Sequence, residues 1–263
     1  MGKTYVTSDW HGCSNPALKI FDYLKEDDTL YFLGDAIDRG PDGIKLMNKL
    51  LTDSRVIYLK GNHEEFIEQY VPELIEGHSS MADLWLHQNG GQYTWDAMQH
   101  MSDDSKMFYV YKIHKMPEKI VYHSPLGHHV ILEHAGYTPF DMPHRTHYPL
   151  WDREHFYDEW DGGFYDKEDE LKPDNTYLVH GHTPVQYLMF EYGYKGQKPK
   201  DKDMIKIGQM WDSPEIEWRP EVLRYCDEHK FDIDMCTIVS GRVALLDLDT
   251  FETIYFDEDR EED

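Results

Sequence analysis

The sequence predicts an α/β protein with a second, mostly antiparallel sheet, and three observations carry that prediction. Strand-length apolar runs alternate with helix-length segments through the first 75 residues, the pattern of parallel strands joined by crossover helices. Beyond residue 116 the pattern changes to short alternating runs separated by tight turns, as in hairpins. In addition, five of the expected strands end in glycine beside His, Asp or Asn.

In chain order, Thr4–Thr7 reads as a strand, Pro16–Lys25 as a helix and Thr29–Leu33 as a strand. A helix is expected from Pro41 to Leu51, with proline at the favoured first position. Arg55–Leu59 follows as the third strand and Glu64–Ile75 as the third helix. Residues 79–116 are helical in pattern and partly aromatic (Trp85, Trp95, Phe108, Tyr109, Tyr111), and are expected to form a helical cap segment. Ile120–His123 and Val130–Glu133 flank a Ser-Pro-Leu-Gly turn and predict a hairpin. Thr176–Val179, Tyr187–Phe190, Thr237–Val239, Arg242–Asp247 and Thr253–Phe256 are further strand candidates. Residues 191–230, rich in Lys, Asp, Gly and Pro around Trp211 and Trp218, read as an insertion, because so short a segment makes a poor core of its own. The expectation is a single domain over 1–263, closed by a solvated acidic tail, DEDREED, at 257–263.

Charge narrows the function. The chain carries 51 acidic and 26 basic residues, a formal net of −25. Such a surface repels nucleic acid and anionic membrane, so neither is an expected partner. No apolar run approaches transmembrane length, and the first strand begins too early for a signal peptide. Cys13, Cys226 and Cys236 have no metal-ligand spacing and cannot all pair, which fits a reducing cytoplasm. If the substrate is anionic, its site must supply positive charge locally.

The five strand ends read SDWHG (8–12), GDAIDRG (34–40), KGNHE (60–64), EHAG (133–136) and HGHTP (180–184). The carboxyl ends of strands in open α/β sheets form the ligand crevice, so all five are expected to converge. Singly each is a common turn; together, in order, they are not. Carboxylate, imidazole and amide without thiolate suit Mn²⁺, Fe²⁺ or Zn²⁺. The donors are too many for one ion, whereas two ions ~3.5–4 Å apart, bridged by a carboxylate, would use them and activate a shared water. Two divalent ions outweigh the two aspartates and a hydroxide, leaving a net positive centre suited to a phosphate oxygen. His78, His87, His100, His123, His128 and His129 lie off these strand ends and read as surface or packing residues.

As a set, the motifs closely resemble those of the metal-dependent phosphoprotein phosphatase family, whose pattern is GDxHG, GDxxDRG, GNHE, HGG or HAG, and a late histidine. LWDRE (150–154), HGHTP and LDLDT (246–250) bring the chain nearest to the bacterial and phage branch, which includes lambda phosphatase and diadenosine tetraphosphatases. The resemblance spans roughly residues 4–190 and 231–256. It implies a calcineurin-like fold of two mixed β-sheets, sandwiched and flanked by helices, and a dinuclear centre in which Mn²⁺ is the expected metal. Position by position, it implies that Asp9 and His11 bind the first ion, that Asp35 bridges, and that Asn62, His134 and His182 bind the second. His63 would be the general acid, oriented by Asp38. Arg39 and Arg153 would grip the phosphate. His180 is the alternative to His182, and reads rather as a packing or supporting group. The chain departs from the family at Ser8, where many members have Gly, and at IDMCTIVSGR (233–242), where relatives carry IDTG and then Gly-Gly. The second departure bears on substrate contacts near that edge.

The leading expectation is hydrolysis of phosphoserine or phosphothreonine proteins, with small phosphomonoesters as surrogates. Hydrolysis of dinucleoside polyphosphates is the alternative, which the scarcity of Lys and Arg disfavours. Removal of phosphate from RNA ends and a non-catalytic scaffold role are weaker readings. The first is opposed by the charge, the second by the presence of every ligand and the acid.

Overall fold

The computed structural model describes residues 2–78, 82–136, 149–153, 173–186 and 219–259. β1 (Thr4–Thr7), β2 (Thr29–Phe32) and β3 (Val56–Tyr58) are parallel neighbours. They are linked by α1 (Ser14–Tyr23) and α2 (Gly43–Thr52), and α3 (Asn62–Ile75) follows β3. All three helix starts differ from expectation by two residues, α1 opening at Ser14 rather than Pro16. Pro41 lies outside α2, because the Asp42 N–H donates to Gly12 O (3.2 Å) and ties the preceding turn to the loop after β1. α3 opens at Asn62 rather than Glu64, because the Glu64 carboxylate reaches back to the Gly61 N–H (3.0 Å) and closes the first turn. Asn62 and His63 are thereby fixed on a helix instead of hanging from a loop.

β9 (Arg242–Asp247) and β10 (Thr253–Asp257) extend this sheet antiparallel to β1, in the order β10-β9-β1-β2-β3. Strand alternation divides its side chains between two cores. Tyr5, Leu30, Phe32 and Leu245 face the core that packs against α1, α2 and α3. Val6, Leu33 and Leu246 face the second sheet, meeting Val130, Leu132, Val179 and Phe231. The layers are therefore helices, first sheet, second sheet. α4 (Asp83–Gln88), α5 (Gln92–Met98) and α6 (Asp103–His114) occupy the segment expected to be a cap. Their Trp85, Met98, Tyr109 and Ile113 are continuous with the helix-side core.

The second sheet comprises β4 (Lys119–His123), β5 (His129–Glu133), β6 (Thr176–His180), β7 (Leu223–Tyr225) and β8 (Lys230–Asp232), ordered β4-β5-β6-β8-β7. It is mixed rather than mostly antiparallel. The hairpins β4–β5 and β7–β8 are antiparallel, whereas β6 runs parallel to both β5 and β8, reached by long connections. Thr237–Val239, expected as a strand, lies instead in a single helical turn, α7 (Thr237–Ser240). Cys236 and Gly241, at φ 50° and 61°, turn the chain too sharply on either side for an extended run.

Of the segment read as an insertion, residues 191–218 lie outside the described residues, as does the strand expected at Tyr187–Phe190. From 219 onward the segment supplies β7 and the start of β8, integral parts of the second sheet. The acidic tail also begins later than expected, because Asp257 closes β10 and pairs with Arg242 (2.7 Å) and Arg219 (2.6 Å). Among the described residues no helix is long and apolar enough to cross a membrane.

Candidate active site

The loops after β1 and β2 are zipped together by Asp9 N–H to Gly34 O (3.1 Å) and His11 N–H to Asp35 O (3.0 Å). The turns after β5 and β6 are tied by Gly181 N–H to His134 O (2.8 Å). These hydrogen bonds draw Asp9, His11, Asp35, Asp38, Arg39, His134 and His182 to one end of both sheets, facing Asn62 and His63 on α3. Asp9, His11, Asp35, Asp38, Arg39 and His182 all adopt positive φ, between 45° and 68°. Left-handed backbone at non-glycine residues costs of order 1–3 kcal/mol each and collects at functional sites. Close approach explains the adjacent glycines. A Cβ on Gly34 would come within 2.4 Å of the Gly61 backbone, and one on Gly181 within 2.0 Å of Asp9 Oδ2.

Hydrogen bonding to the backbone fixes the imidazole tautomers. His11 Nδ1 donates to Ile37 O (3.0 Å) and His134 Nδ1 to Leu33 O (2.8 Å). Burial lowers the pKa of both, that of His134 to about 3, so both are neutral and each Nε2 carries a lone pair rather than a proton. Burial also lowers His182, whose Nε2 is buried without a hydrogen-bond partner. The carboxyls shift the other way. Asp9 and Asp35 are raised, first by burial and then by neighbouring carboxylates, Asp234 for Asp9 and Glu64 for Asp35.

Asp35 is the centre of the arrangement. Its Oδ2 lies 3.6 Å from His11 Nε2 and 3.7 Å from His63 Nε2, and its Oδ1 lies 3.5 Å from His134 Nε2. Candidate ligand atoms of His11, Asp35 and His63 fall within 4.8 Å of one another, as do those of Asp35, His134 and His182. Asn62 Oδ1 joins the second group, 2.8 Å from His134 Nε2 and 2.9 Å from His182 Nδ1. A carbonyl oxygen and a bare imidazole nitrogen are both acceptors. Their close approach, beside the unpartnered His182 Nε2, suits a cation between them. The donor set therefore fits divalent metal.

The sequence expectation and the geometry differ at one position. The first group contains His63 where the resemblance implies Asp9. Asp9 is fully buried at the edge of the site, its carboxylate accepting the Ser8 hydroxyl and the His182 N–H (3.1 Å). His63 is held differently from the other imidazoles. Its Nδ1 donates to Asp38 Oδ2 (2.6 Å), the same oxygen accepts from Trp85 Nε1 (2.7 Å), and Asp38 Oδ1 accepts from the Thr94 hydroxyl (2.5 Å). Arg39 donates through Nη1 to His11 Nε2 (2.8 Å) and through Nη2 to His63 Nε2 (3.0 Å), spanning the first group. Arg153 is exposed, and its charge contributes to lowering His134 and His182. His180 stands apart, its Nε2 2.6 Å from the Tyr225 hydroxyl.

Sequence reasoning missed several supporting residues. Glu64 accepts from the N–H groups of Asp35 (2.7 Å), Ala36 (3.0 Å) and Gly61 (3.0 Å) and from the Tyr58 hydroxyl (2.7 Å). Its place at the third position of α3 was the available signal. Trp85 and Thr94 lie far from Asp38 in sequence and carried none. Trp151 packs edge-on to His182 and donates to Glu65 Oε2 (2.8 Å).

Comparison with known proteins agrees with this geometry. Over 192 residues the chain is 28% identical to serine/threonine-protein phosphatase 1 of Salmonella typhimurium, an alignment that covers 70% of this chain and 80% of the relative. Two solved structures share the fold. A chain named for diadenosine tetraphosphatase activity gives a TM-score of 0.54 at 16% identity, covering 97% of this chain and 92% of that one. A protein serine/threonine phosphatase from Saccharomyces cerevisiae gives 0.51 at 12%, covering 100% and 82%. The family model for calcineurin-like phosphoesterases matches residues 2–240, a stretch that holds all five motif-bearing strand ends, from Ser8 to Pro184. With that match, a buried Asp35 shared by two imidazole groups is explained: the chain is a phosphoester hydrolase of the calcineurin-like phosphoesterase family.

Proposed function

We propose that the protein removes phosphate from phosphoserine or phosphothreonine proteins and from small phosphomonoesters, using two divalent metal ions, with Mn²⁺ the expected pair. Asp9 and His11 would hold the first ion, Asn62, His134 and His182 the second, and Asp35 both. The observation that carries this reading is the membership of Asp35 in both groups of candidate ligands. When bound, such a pair supplies Lewis-acid polarisation of the phosphate and a water acidic enough to attack at neutral pH. The protein's own groups do the rest. Asp38 fixes the His63 ring with Nδ1–H turned to its carboxylate; once Arg39 leaves Nε2 for the phosphate, that nitrogen can take up a proton from solvent and pass it to the departing oxygen. Arg39, already spanning two Nε2 atoms, presents a planar fork that matches two phosphate oxygens, and Arg153 adds charge from the rim. Burial keeps the ligand imidazoles neutral and therefore able to bind metal.

The excess of acidic over basic residues, in the chain and along α3, favours peptide over dinucleoside polyphosphate. A groove of about 640 Å³ runs beside α3, lined by Glu65, Glu68 and Glu118 against a single lysine, Lys60. Such a wall repels a polyphosphate chain and tolerates a neutral or basic peptide. The protein is expected to act in the cytoplasm. The test is a Mn²⁺-supplemented hydrolysis panel of phosphoserine and phosphothreonine peptides, p-nitrophenyl phosphate, diadenosine tetraphosphate and phosphorylated RNA ends. Release of phosphate from the peptides is expected. Cleavage of the dinucleotide with the peptides left intact would overturn the proposal.

A further inference from the structure

The segment that departs from the family pattern, Ile233–Thr237, carries a buried carboxylate that the mechanism above does not use. Asp234 is 1% exposed and Asp232 is fully buried. Each has one oxygen tied to a backbone N–H. Asp232 Oδ1 accepts from Asp234 N (3.0 Å), and Asp234 Oδ1 accepts from Cys236 N (2.8 Å). Each leaves Oδ2 buried without a hydrogen-bond partner.

Asp234 is locked in place. Its backbone oxygen accepts from Val185 N (3.1 Å), just beyond His182, and Cys236 holds its left-handed turn while donating to the carboxylate. Met235, where relatives carry a small residue, is 1% exposed and packs with Val185, Tyr225 and Ala244. The Thr237 hydroxyl donates to the backbone oxygen of Asp9 (2.9 Å), fastening the segment to the first metal-binding loop. The charges that act on Asp234 belong to the active site, namely Arg39, Arg153 and His63, and Asp234 in turn acts on Asp9. Asp9, Asp232 and Asp234 thus crowd three buried carboxylates with few donors between them. Buried negative charge is tolerated where a cation compensates it.

We propose that Asp234 is a positioning residue of the metal site. Its free oxygen supplies a counter-charge and a hydrogen-bond acceptor for the water shell of the hydrated divalent cation held on the Asp9 side, and so raises the affinity for that cation. This rests on the two-ion reading above. Asp234 would act beside the ligand set rather than within it, since it belongs to neither ligand group.

Metal removal and titration distinguish the possibilities. The metal-free wild type, Asp234→Asn and Asp234→Ser are titrated with Mn²⁺ by calorimetry, bound metal is counted by elemental analysis, and each protein is melted without metal and with saturating Mn²⁺. For the wild type, two bound Mn²⁺ are expected. For Asp234→Asn, one of the two sites is expected to weaken tenfold or more, the other to keep its affinity, and the metal-free melting temperature to equal or exceed that of wild type, because an uncompensated buried charge is gone. Asp234→Ser should give the same pattern should the amide pack badly. Wild-type affinity at both sites in a folded variant overturns the proposal and leaves the two-ion reading standing. A lower metal-free melting temperature with both sites weakened equally shows a purely structural role and also overturns it. A wild type that binds fewer than two ions refutes the two-ion reading itself, and the proposal with it.

Discussion

Glu64 offers the sharpest test of how the site is held. Its Oε2 accepts from Asp35 N and Gly61 N, and its Oε1 from Ala36 N and the Tyr58 hydroxyl. In Glu64→Gln one end of the side chain becomes a donor. Placed at Oε2 the new amide would face two backbone N–H groups; placed at Oε1 it faces one, since the Tyr58 hydroxyl can turn and accept. The better orientation still strands the buried Ala36 N–H, at about 1–3 kcal/mol. Loss of charge assistance to the remaining bonds adds to this, while relief of a buried charge, whose pKa burial already raises, subtracts. A net loss of roughly 1–3 kcal/mol corresponds, at about 2–4 °C per kcal/mol for a chain of this size, to roughly 2–12 °C in melting temperature. Turnover should fall further than stability. The strained Asp35 backbone loses its anchor, and a displacement of ~1 Å at a reacting centre can cost ~10²-fold in rate. Circular dichroism melts of the metal-free protein and p-nitrophenyl phosphate hydrolysis with Mn²⁺ measure the two effects. A variant that melts within a degree of wild type and turns over at its rate would refute the claim that Glu64 sets the position of Asp35.

Asp35→Asn should abolish metal-dependent hydrolysis of p-nitrophenyl phosphate, because the carboxylate common to both ligand groups loses its charge; a near-wild-type rate would sink the two-metal proposal. His63→Asn should retain both metal ions by elemental analysis yet lose about 10²–10⁴-fold in turnover of substrates with a poor leaving group. The proximity of His63 to His11 and Asp35 makes this informative, since a fall in metal content would make His63 a ligand. Away from the site, Asp53 accepts from Arg55 Nε (2.9 Å) and Nη2 (2.7 Å) and from Lys49 Nζ (3.0 Å), and these partners, Arg55 foremost, depress its pKa. A depressed carboxyl stabilises the fold at pH above its unfolded value of about 3.9, and this contribution is lost as the pH falls through the folded value. Asp53→Asn should therefore cost roughly 1–2 kcal/mol at pH 7, after allowance for the partly exposed partners. Urea melts should show the gap between variant and wild type closing below about pH 4; a gap that widened with acid would contradict the assigned sign.

The parallel half of the fold was legible because its strands are apolar, punctuated and followed at once by chemistry. β1 and β9 have the boundaries the sequence suggested. β7 and β8 were not legible, for a definite reason. Leu-Arg-Tyr and Lys-Phe-Asp are three residues long and break the rule that charge lies outside, with Lys230 and Asp232 fully buried among aromatic and acidic partners. Thr-Ile-Val-Ser misled in the opposite sense. Its β-branched residues favour a strand, but the Thr237 hydroxyl is engaged with Asp9 O and the flanking left-handed residues force a turn. Within the site, each residue at a strand end could be read from local pattern. The residues that orient Asp38 could not, since Trp85 and Thr94 reach it only through the packing of α4 and α5.

That packing separates two aspartates that stand three positions apart in one loop. Asp38 is saturated. The Trp85 indole, the Thr94 hydroxyl and the His63 ring fill its two oxygens, all three supplied by the protein and all at 2.7 Å or less. A carboxylate so engaged has little left to offer an ion, and its geometry suits it to hold a ring in one tautomer. Asp35 receives one backbone N–H from His63 (3.0 Å), and otherwise faces imidazole nitrogens at 3.5–3.7 Å, beyond hydrogen-bonding distance. Its lone pairs remain available beside that of His134 Nε2, where a bound cation would relieve the repulsion, while on the His11 and His63 side the Arg39 guanidinium already supplies donors and charge. Identical side chains, equally buried and in equally strained backbone, thus diverge in role because one has its donors built in and the other does not. Swapping that provision is the decisive perturbation: Thr94→Val should loosen Asp38 and lower turnover by roughly tenfold or more without altering metal content, whereas loss of metal from this variant would show that the two carboxylates are not separated in function.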